Sequence, residues 1–301
     1  MRIVALFGPT GVGKTAVAVA LARRLRARGE DPVAVSADAL QVYAGLEIVT
    51  GVASAAEQAQ LDHRLVSFLP LDATFSAGQY ARLAHAQIDE LLAEGRRPIV
   101  VGGTGLYLRA ALSELSLRPP PPRELRERLL AQLQRTGAPA LHAHLAERAP
   151  WVAHGIDPND RQRIVRALEL LELGEVPHPK SLDASARGRR AGEGASQLWS
   201  EDLRRPTLLV GLTMQRERLY AAIDARVQEM LAAGAREQVL RAHAQGASAT
   251  ARKALGFEDL LAGDVEAMKR RTRNYARRQL TWMRKLAGVR AIDVSGREAE
   301  A

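Results

Sequence analysis

Residues 8–15, GPTGVGKT, match the spacing of a phosphate-binding loop, G-x-x-x-x-G-K-[ST]. Glycines at these positions let backbone N–H groups converge on phosphate oxygens, and the N-terminus of a following helix adds positive potential. In such a loop Lys14 binds the terminal phosphate and the Thr15 hydroxyl binds Mg²⁺. A glycine-rich turn with an unrelated lysine is the alternative. The context disfavours it, because residues 2–7 predict a buried strand before the loop and residues 15–25 a helix after it.

A second candidate is Asp38, which follows the next predicted strand at the carboxyl edge, where α/β sites form. An NTPase normally holds Mg²⁺ with an aspartate on a further strand. Here that strand ends in Gly102-Gly103-Thr104-Gly105, without a carboxylate. This argues against ATP hydrolysis, although a small-molecule kinase can place an aspartate as Asp38 is placed. Without a function, Asp38 would cap a helix and the glycines would form a tight turn.

The elements around these residues alternate between strand and helix. Strands are predicted at three apolar runs, 32–37, 64–70 and 96–105. Residues 76–95 have helical spacing, with Ser76 as the N-cap and Gly95 as the stop. The alternation predicts an α/β fold with a parallel, doubly wound sheet.

The alternation stops at four consecutive prolines, residues 119–122, which mark a boundary. From there to residue 197 the sequence predicts helices and loops, and residues 178–196 are polar, glycine-rich and typical of a mobile segment. Residues 204–212 predict another strand, and three helical stretches follow it. We therefore predict an α/β core formed by residues 1–114 and 199–301 and a helical insertion formed by residues 115–198.

The composition excludes several classes of protein. The 301 residues include no cysteine, which excludes disulfides, thiol catalysis and cysteine-based zinc sites. No window approaches the roughly 18 apolar residues of a membrane span, and no signal peptide is visible, so we expect a soluble cytoplasmic protein. Nothing indicates oligomerisation, and we expect a monomer. The net charge of +9 favours a polyanionic partner such as nucleic acid, unless an arginine-rich proteome makes every protein basic.

Seven segments together resemble the motifs of the tRNA dimethylallyltransferases, also called tRNA isopentenyltransferases. They are GPTGVGKT, SADALQVYAGLEI, GGTGLYLRA, DPNDRQRIVRALEL, QRERLY, ARKALGFEDL and TRNYARRQLTWMRK. The phosphate-binding loop alone is unspecific, whereas DRQRIVRALE and ARRQLTWMRK in one chain are highly specific. The resemblance is to the bacterial type, because eukaryotic members add a zinc finger and this chain has no cysteine.

The resemblance implies transfer of a dimethylallyl group from dimethylallyl diphosphate to N6 of the adenine at tRNA position 37, immediately 3′ to the anticodon, with release of diphosphate. It also implies a P-loop NTPase-like core, a helical insertion that grips the tRNA anticodon stem-loop, and Mg²⁺ as cofactor. On this basis the opening loop holds a prenyl diphosphate.

The resemblance assigns residues to the prenyl donor and to the chemistry. The implied diphosphate-binding residues are Gly8, Thr10, Gly11, Val12, Gly13, Lys14, Thr15 and Arg216, with Thr15 also binding the metal. Asp38 matches the catalytic base that takes a proton from N6, and Thr104 matches a threonine near the target nucleotide. Arg216, in the segment QRERLY, could instead be a solvated charge on a helix.

The implied tRNA-binding residues come from several segments: Asp38, Ala39, Leu40, Gln41, Thr104, Arg126, Gln162, Arg163, Ile164, Val165, Arg166, Arg273 and Arg277. Arg163 and Arg166 could alternatively be charges on an amphipathic helix. The last helix has the strongest basic cluster of the chain, of which only part can share one face, and Tyr275 and Trp282 are predicted to pack in the core.

The chain departs from the family pattern at two places. Ala39 and Leu40 stand where the family usually has Ser and often Arg. Residues 49–53, VTGVA, replace the usual G-T-A-K-P and lack its lysine, which puts an RNA contact there in doubt.

Three rival functions remain: an ATP-dependent small-molecule kinase, an isopentenyltransferase acting on free adenine nucleotides, and an RNA-binding protein that has lost catalysis. The insertion and the basic last helix argue against the first two, and intact Lys14, Thr15 and Asp38 argue against the third.

Overall fold

The computed structural model describes residues 2–114, 121–176, 203–286 and 288–296. Contacts divide the chain into two units: Met1–Leu117 with Trp199–Ala301, the α/β unit, and Arg118–Leu198, the helical unit. The segment predicted to be mobile, residues 178–196, lies outside the described residues.

The α/β unit is built on a six-stranded sheet in which all neighbouring strands are parallel. The strands are β1 (Ile3–Phe7), β2 (Pro32–Ser36), β3 (His63–Arg64), β4 (Arg97–Gly102), β5 (Thr207–Thr213) and β6 (Arg290–Asp293), in the spatial order β3-β2-β4-β1-β5-β6. The central strand β1 pairs Val4 with Ile99 of β4 and with Leu208 of β5. The prediction of a parallel α/β sheet is confirmed.

Five helices precede the helical unit in the chain: α1 (Lys14–Arg26), α2 (Glu47–Thr50), α3 (Ala55–Gln60), α4 (Ala77–Ala93) and α5 (Gly105–Leu112). The prediction for α4 is confirmed, since Ser76 and Gln79 form a capping box at its start. Gly95, with φ of +73°, lies just beyond its end.

The helical unit contains α6 (Arg123–Arg148), α7 (Pro150–Ala153) and α8 (Arg161–Glu172). Gly137, with φ 79° and ψ 166°, breaks α6 into two segments, and Pro139 follows the break. Buried apolar side chains of α6 and α8 form a separate core, with Leu129, Leu133, Leu145, Ile164 and Leu168 at its centre.

Four helices follow β5 in the α/β unit: α9 (Arg216–Ala232), α10 (Ala235–Ala244), α11 (Phe257–Leu261) and α12 (Val265–Met283). One face of the sheet packs against α4 and α5 through Tyr80, Ile88 and Leu108. The other face packs against α1 and α9 through Ala18 and Ile223. Both faces are covered, as an all-parallel sheet requires.

Three local predictions differ from the structure. The strand predicted at residues 64–70 is wrong beyond Arg64, because Leu65 and Ser67 have φ of 61° and 49°. The chain turns there to bond with a preceding loop, where Ser67 N–H donates to Gln41 O at 2.8 Å. Helix α10 was not predicted as a separate helix. Strand β6 was missed as well; it is exposed throughout, so it has no apolar pattern.

Candidate active site

The phosphate-binding loop joins β1 to α1 at the carboxyl edge of the sheet. Gly11 and Gly13 have φ of +84° and +89°, conformations that favour glycine. The N–H groups of Gly11, Gly13, Lys14 and Thr15 make no hydrogen bond to any described residue. These donors at the start of α1 can therefore bind an anion.

Two residues predicted to bind diphosphate have backbone N–H groups that are already engaged within the protein. The Thr10 N–H already donates to Gln279 Oε1 at 2.8 Å, and the Val12 N–H donates to Pro9 O at 3.3 Å. The Val12 side chain is buried in the core between the sheet and α1. Thr10 and Val12 thus shape the loop, while the glycines and the helix start present the donors.

The Lys14 ammonium lies inside the loop and donates to Gly8 O at 3.0 Å and to Pro9 O at 2.9 Å. Its pKa is lowered to about 7, mainly by burial and also by the nearby positive charge of Arg226, while the Asp38 carboxylate acts in the opposite direction. Because burial destabilises the charged form of Lys14, an anion bound beside the ammonium would stabilise that form.

Arg226 on α9 is the cationic partner that sequence reasoning missed. Its guanidinium makes no hydrogen bond and no ion pair within 4 Å to any described residue. Burial lowers its pKa, and the charges of Asp38, Glu57 and Glu229 oppose that shift. Its Nη2 packs on Gly51, where a Cβ would lie only 1.7 Å away. The unusual Gly51 in VTGVA therefore provides the space for this guanidinium.

The predicted Arg216 lies at the start of α9, is exposed, and stacks over the Tyr220 ring at 5.4 Å. The buried residues of α9 are Leu219, Ile223 and Val227, spaced four apart. Arg226 stands three positions after Ile223, beside this apolar stripe, and that placement in the sequence was the available sign of an inward-facing arginine.

Asp38 lies just beyond β2. Its Oδ1 accepts a hydrogen bond from the Leu40 N–H at 2.9 Å, in a local turn and not at the start of a helix. Its Oδ2 makes no hydrogen bond to a described residue. The carboxylate charge acts on Lys14 and Arg226 and also raises the pKa of three tyrosines, Tyr80, Tyr107 and Tyr275, in addition to the larger effect of burial.

Thr104 occupies the N-cap position of α5, directly after the glycines that end β4. Its Oγ1 lies 3.2 Å from the Tyr275 hydroxyl on α12. Burial raises the pKa of Tyr275 to about 12, and hydrogen bonds with Thr104 and Gln279 oppose that shift. Tyr275 is thus a half-buried residue with a polar contact at the turn that bears Thr104.

The remaining residues after Asp38 face partly inward. Ala39 and Leu40 are half-buried. The Gln41 amide is used internally: its Oε1 accepts from Ser36 Oγ at 2.8 Å, and its Nε2 donates to Gly51 O at 2.9 Å. Gln41 therefore fastens this segment to the end of α2, next to the Arg226 guanidinium.

In the helical unit two predicted arginines share one buried carboxylate. Glu169 is 0% exposed, and its oxygens lie 3.3 Å from Arg126 Nη1 and 3.1 Å from Arg166 Nη1. The two arginine side chains remain 54% and 32% exposed. Glu169 thus holds both guanidinium groups from inside the helical unit, and both arginine side chains reach the surface.

The segment 162–166 has two faces. Gln162 and Arg163 are exposed, and Arg163 Nε lies 3.4 Å from Asp160 Oδ2. Ile164 and Val165 are buried in the core of the helical unit. Their side chains stabilise α8, whereas Gln162 and Arg163 face the solvent, where a partner could contact them.

The basic residues of α12 differ in their surroundings: one is paired with a carboxylate and another is exposed. Arg273 is paired with Asp224, with Nε donating to Oδ1 at 3.0 Å, and stacks over Tyr220. Arg277 is exposed and donates to the Asn274 side chain. An open groove of about 560 Å³ follows this helix, lined by Asn274, Arg277, Arg278, Thr281, Trp282 and Lys285.

Neither a preformed metal cluster nor a membrane-spanning helix is found in the described part of the chain. No three His, Cys, Asp or Glu side chains there are grouped to hold a metal ion. No described helix is long and apolar enough to cross a membrane. The Thr15 hydroxyl makes no hydrogen bond to a described residue, so it is available as a metal ligand.

Known proteins resemble this chain over nearly its whole length. The family model IPP transferase matches residues 41–286. Proteins named tRNA dimethylallyltransferase match from Anaeromyxobacter dehalogenans, at 41% identity over 96% of this chain and 94% of the relative, and from Symbiobacterium thermophilum, at 38% over 99% and 91%.

Solved structures agree with these matches. A full-length tRNA isopentenylpyrophosphate transferase from Bacillus halodurans superposes with a TM-score of 0.66 at 30% identity, over 99% of this chain and 91% of that one. A eukaryotic dimethylallyltransferase acting on tRNA shares the fold, with a TM-score of 0.74 at 23% identity, over 98% and 74%. The resemblance seen in the motifs is confirmed: the chain belongs to the IPP transferase family, the family of the tRNA dimethylallyltransferases.

Proposed function

We propose that this protein transfers the dimethylallyl group of dimethylallyl diphosphate to N6 of the adenine at tRNA position 37 and releases diphosphate. The observation that carries the proposal is a phosphate-binding loop with unused N–H donors and with the Lys14 ammonium inside it, where the charges of Arg226 and Asp38 act on Lys14. The reaction needs cations that stabilise the anionic leaving group and a base that removes a proton.

The reaction exchanges one bond for another at C1 of the dimethylallyl group. The C1–O bond to diphosphate breaks, the N6–C1 bond forms, and N6 loses a proton. Negative charge accumulates on the departing diphosphate as positive charge develops on the allylic carbon. The Lys14 ammonium, the Arg226 guanidinium and the loop N–H groups would stabilise that negative charge, because the loop donors and Lys14 are already in place when it develops.

Asp38 supplies the base. The N6 amine is a weak nucleophile because its lone pair is delocalised into the purine, so its proton has to leave as the new bond forms. With Oδ1 held by the Leu40 N–H, the second carboxylate oxygen, Oδ2, can accept that proton. A positioned general base contributes about 10²–10⁴-fold to the rate.

Mg²⁺ fits the donor site through the Thr15 hydroxyl, which has no hydrogen-bond partner among the described residues. Mg²⁺ typically takes one or two protein ligands and completes its shell with substrate phosphates and water, and a bound ion neutralises diphosphate charge. Such a site does not need a cluster of protein carboxylates, and the described residues contain none.

The tRNA anticodon stem-loop would be held by exposed cations. Arg126, Arg163 and Arg166 of the helical unit and Arg277 of α12 have exposed or half-exposed guanidinium groups suited to phosphates. Adenine stacked in an anticodon loop cannot reach the half-buried Asp38 carboxylate, so the base has to be extruded from the stack. We propose a monomer that acts in the cytoplasm, where tRNA is modified.

Prenylation with labelled donor tests the proposal. The protein is incubated with Mg²⁺, labelled dimethylallyl diphosphate and either tRNA or AMP as acceptor. We expect label in tRNA alone, at the N6 atom of adenine 37. Label in AMP would favour the isopentenyltransferase of free nucleotides, phosphate transfer from ATP to a small molecule would favour a kinase, and tRNA binding without label would leave only an RNA-binding protein.

A further inference from the structure

Gln279 on α12 joins two turns that are far apart in the sequence. Its Oε1 accepts a hydrogen bond from the Thr10 N–H at 2.8 Å, and its Nε2 donates to Gly103 O at 2.8 Å. Thr10 belongs to the phosphate-binding loop, and Gly103 belongs to the turn between β4 and α5. The side chain is only 2% exposed, so water cannot replace either bond at low cost.

The two partners require an amide at this position. A backbone N–H needs an acceptor and a backbone carbonyl needs a donor, and among uncharged side chains of this length only Gln offers both from one planar group. The turn is also shaped around the amide, because a Cβ at Gly103 would lie 2.2 Å from Gln279 Nε2 and 3.1 Å from Gly8 O. The loop and the turn are therefore in close contact through Gln279.

The contact extends to Thr104. Tyr275 stands one helical turn before Gln279 on the same side of α12, and the Gln279 side chain opposes the rise in the Tyr275 pKa. The Tyr275 hydroxyl lies 3.2 Å from Thr104 Oγ1. One face of α12 thus holds both the backbone of the turn and the side chain of the residue expected near the target nucleotide.

We propose that Gln279 is a positioning residue that fixes the donor's phosphate-binding loop against the Gly103–Thr104 turn on the acceptor side. This inference rests on the proposed function. Transfer requires C1 of the donor and N6 of the acceptor to meet in a defined geometry, and a displacement of about 1 Å can cost 100-fold in rate. By holding the two turns together, Gln279 sets the distance between the sites that bind the two substrates.

Two variants of Gln279 test this role. Gln279→Met keeps the length of the side chain but removes both hydrogen bonds. We expect its single-turnover rate, with both substrates saturating, to fall about 10- to 100-fold. Its tRNA dissociation constant should change by less than about twofold, because the exposed arginines that bind phosphates are unaltered.

Gln279→Glu adds a readout that a purely structural role would not change. A protonated carboxyl offers one acceptor and one donor, as the amide does, whereas the ionised form only accepts and would face the Gly103 carbonyl. We expect its rate relative to wild type to rise as the pH falls from about 9 to about 6, because burial raises the pKa of a carboxyl group. The same ratio for Gln279→Met should stay constant, and dividing by the wild-type rate cancels the titration of Lys14 and other groups.

Thr272→Val is the matched control. Thr272 is also buried on α12, but the one hydrogen bond that its hydroxyl makes to a described residue is to Met268 O of the same helix. It should lower the melting temperature and leave the single-turnover rate within about twofold of wild type.

The outcomes separate this inference from the proposed function. A wild-type protein that transfers no dimethylallyl group to tRNA overturns the function itself. An active wild type with an equally active Gln279→Met, or with an equal rate loss in Thr272→Val, overturns the role of Gln279. If Gln279→Met does not fold, the pH dependence of Gln279→Glu decides: a rising ratio at low pH supports positioning, and a flat ratio overturns it.

Discussion

The α/β unit and the helical unit both use cationic side chains, but in different surroundings. Lys14 and Arg226 are half-buried beside the phosphate-binding loop, and burial lowers the pKa of both. Arg126 and Arg166 reach the surface from a shared, fully buried Glu169. Buried charges are few and strongly coupled, so they suit stabilisation of a transition state. Exposed charges are screened by salt and suit the binding of a polyanion.

This comparison predicts large effects on the chemical step for the α/β unit and modest, salt-dependent effects on tRNA binding for the helical unit.

The largest effect is expected at Asp38, whose charge acts on both Lys14 and Arg226. Asp38→Asn keeps the shape and the bond from the Leu40 N–H but cannot accept a proton. We expect kcat to fall about 10²–10⁴-fold, with both dissociation constants changed little. Single-turnover prenylation at saturating substrates measures this, and a near-wild-type rate would show that Asp38 is not the base.

The second prediction distinguishes Arg226 from Arg216. Arg226→Gln removes the enclosed guanidinium, and we expect kcat/KM for the prenyl donor to fall about 10²–10³-fold. Arg216→Gln is the matched control on the same helix, and it should stay within about threefold of wild type because the side chain is exposed and stacked on Tyr220. Equal losses in the two variants would contradict the placement of the diphosphate site.

The third prediction follows from the Lys14 pKa of about 7. A bound diphosphate favours the charged lysine and raises that pKa, so donor binding takes up a proton above about pH 7. Donor affinity should therefore fall as the pH rises above 7, by up to about tenfold per unit. Isothermal titration in buffers of different ionisation enthalpy measures the proton uptake, and Lys14→Met should abolish it.

Lys14 should also affect stability in the absence of donor. Its folded pKa of about 7 lies below the ordinary 10.5, so between these values the unfolded chain binds more protons than the folded one. The free energy of unfolding should then rise with pH across this window. Urea unfolding at several pH values tests the sign, since Lys14→Met should show a smaller rise than wild type.

The smallest effects are expected in the helical unit. Arg163→Ala and Arg166→Ala should each raise KM for tRNA a few-fold and leave KM for the donor unchanged, because their exposed charges act on phosphates. The slope of log K against log salt should fall in magnitude by about one for each phosphate that the variant no longer binds. Ala substitution of Arg23, an exposed arginine on α1, is a control. A tRNA affinity that is insensitive to salt and to both substitutions would show that the helical unit does not bind the RNA.

Local sequence patterns were enough to establish the parallel α/β fold, the phosphate-binding loop, the position of Asp38 after β2 and the family. These patterns are apolar runs, glycine spacing and motifs a few residues long. The prediction of a strand at residues 64–70 was wrong because it also relied on a local pattern. An apolar run predicts burial, but Leu65 and Ser67 take positive φ because the chain turns there to bond with residues 41 and 42.

Which charged and polar groups meet was settled by the packing of distant elements. The charge of Arg226 acts on Lys14, whereas the exposed Arg216 stacks on Tyr220, because the packing of α9 against the sheet places Arg226 beside the buried stripe. Gln279 bonds to Thr10 across 269 residues of sequence, and the Thr10 N–H is consequently unavailable to a phosphate. Such contacts leave no local pattern, since they depend on how helices and turns from different parts of the chain come together. The sequence therefore specified the kind of site, and the packing specified its residues.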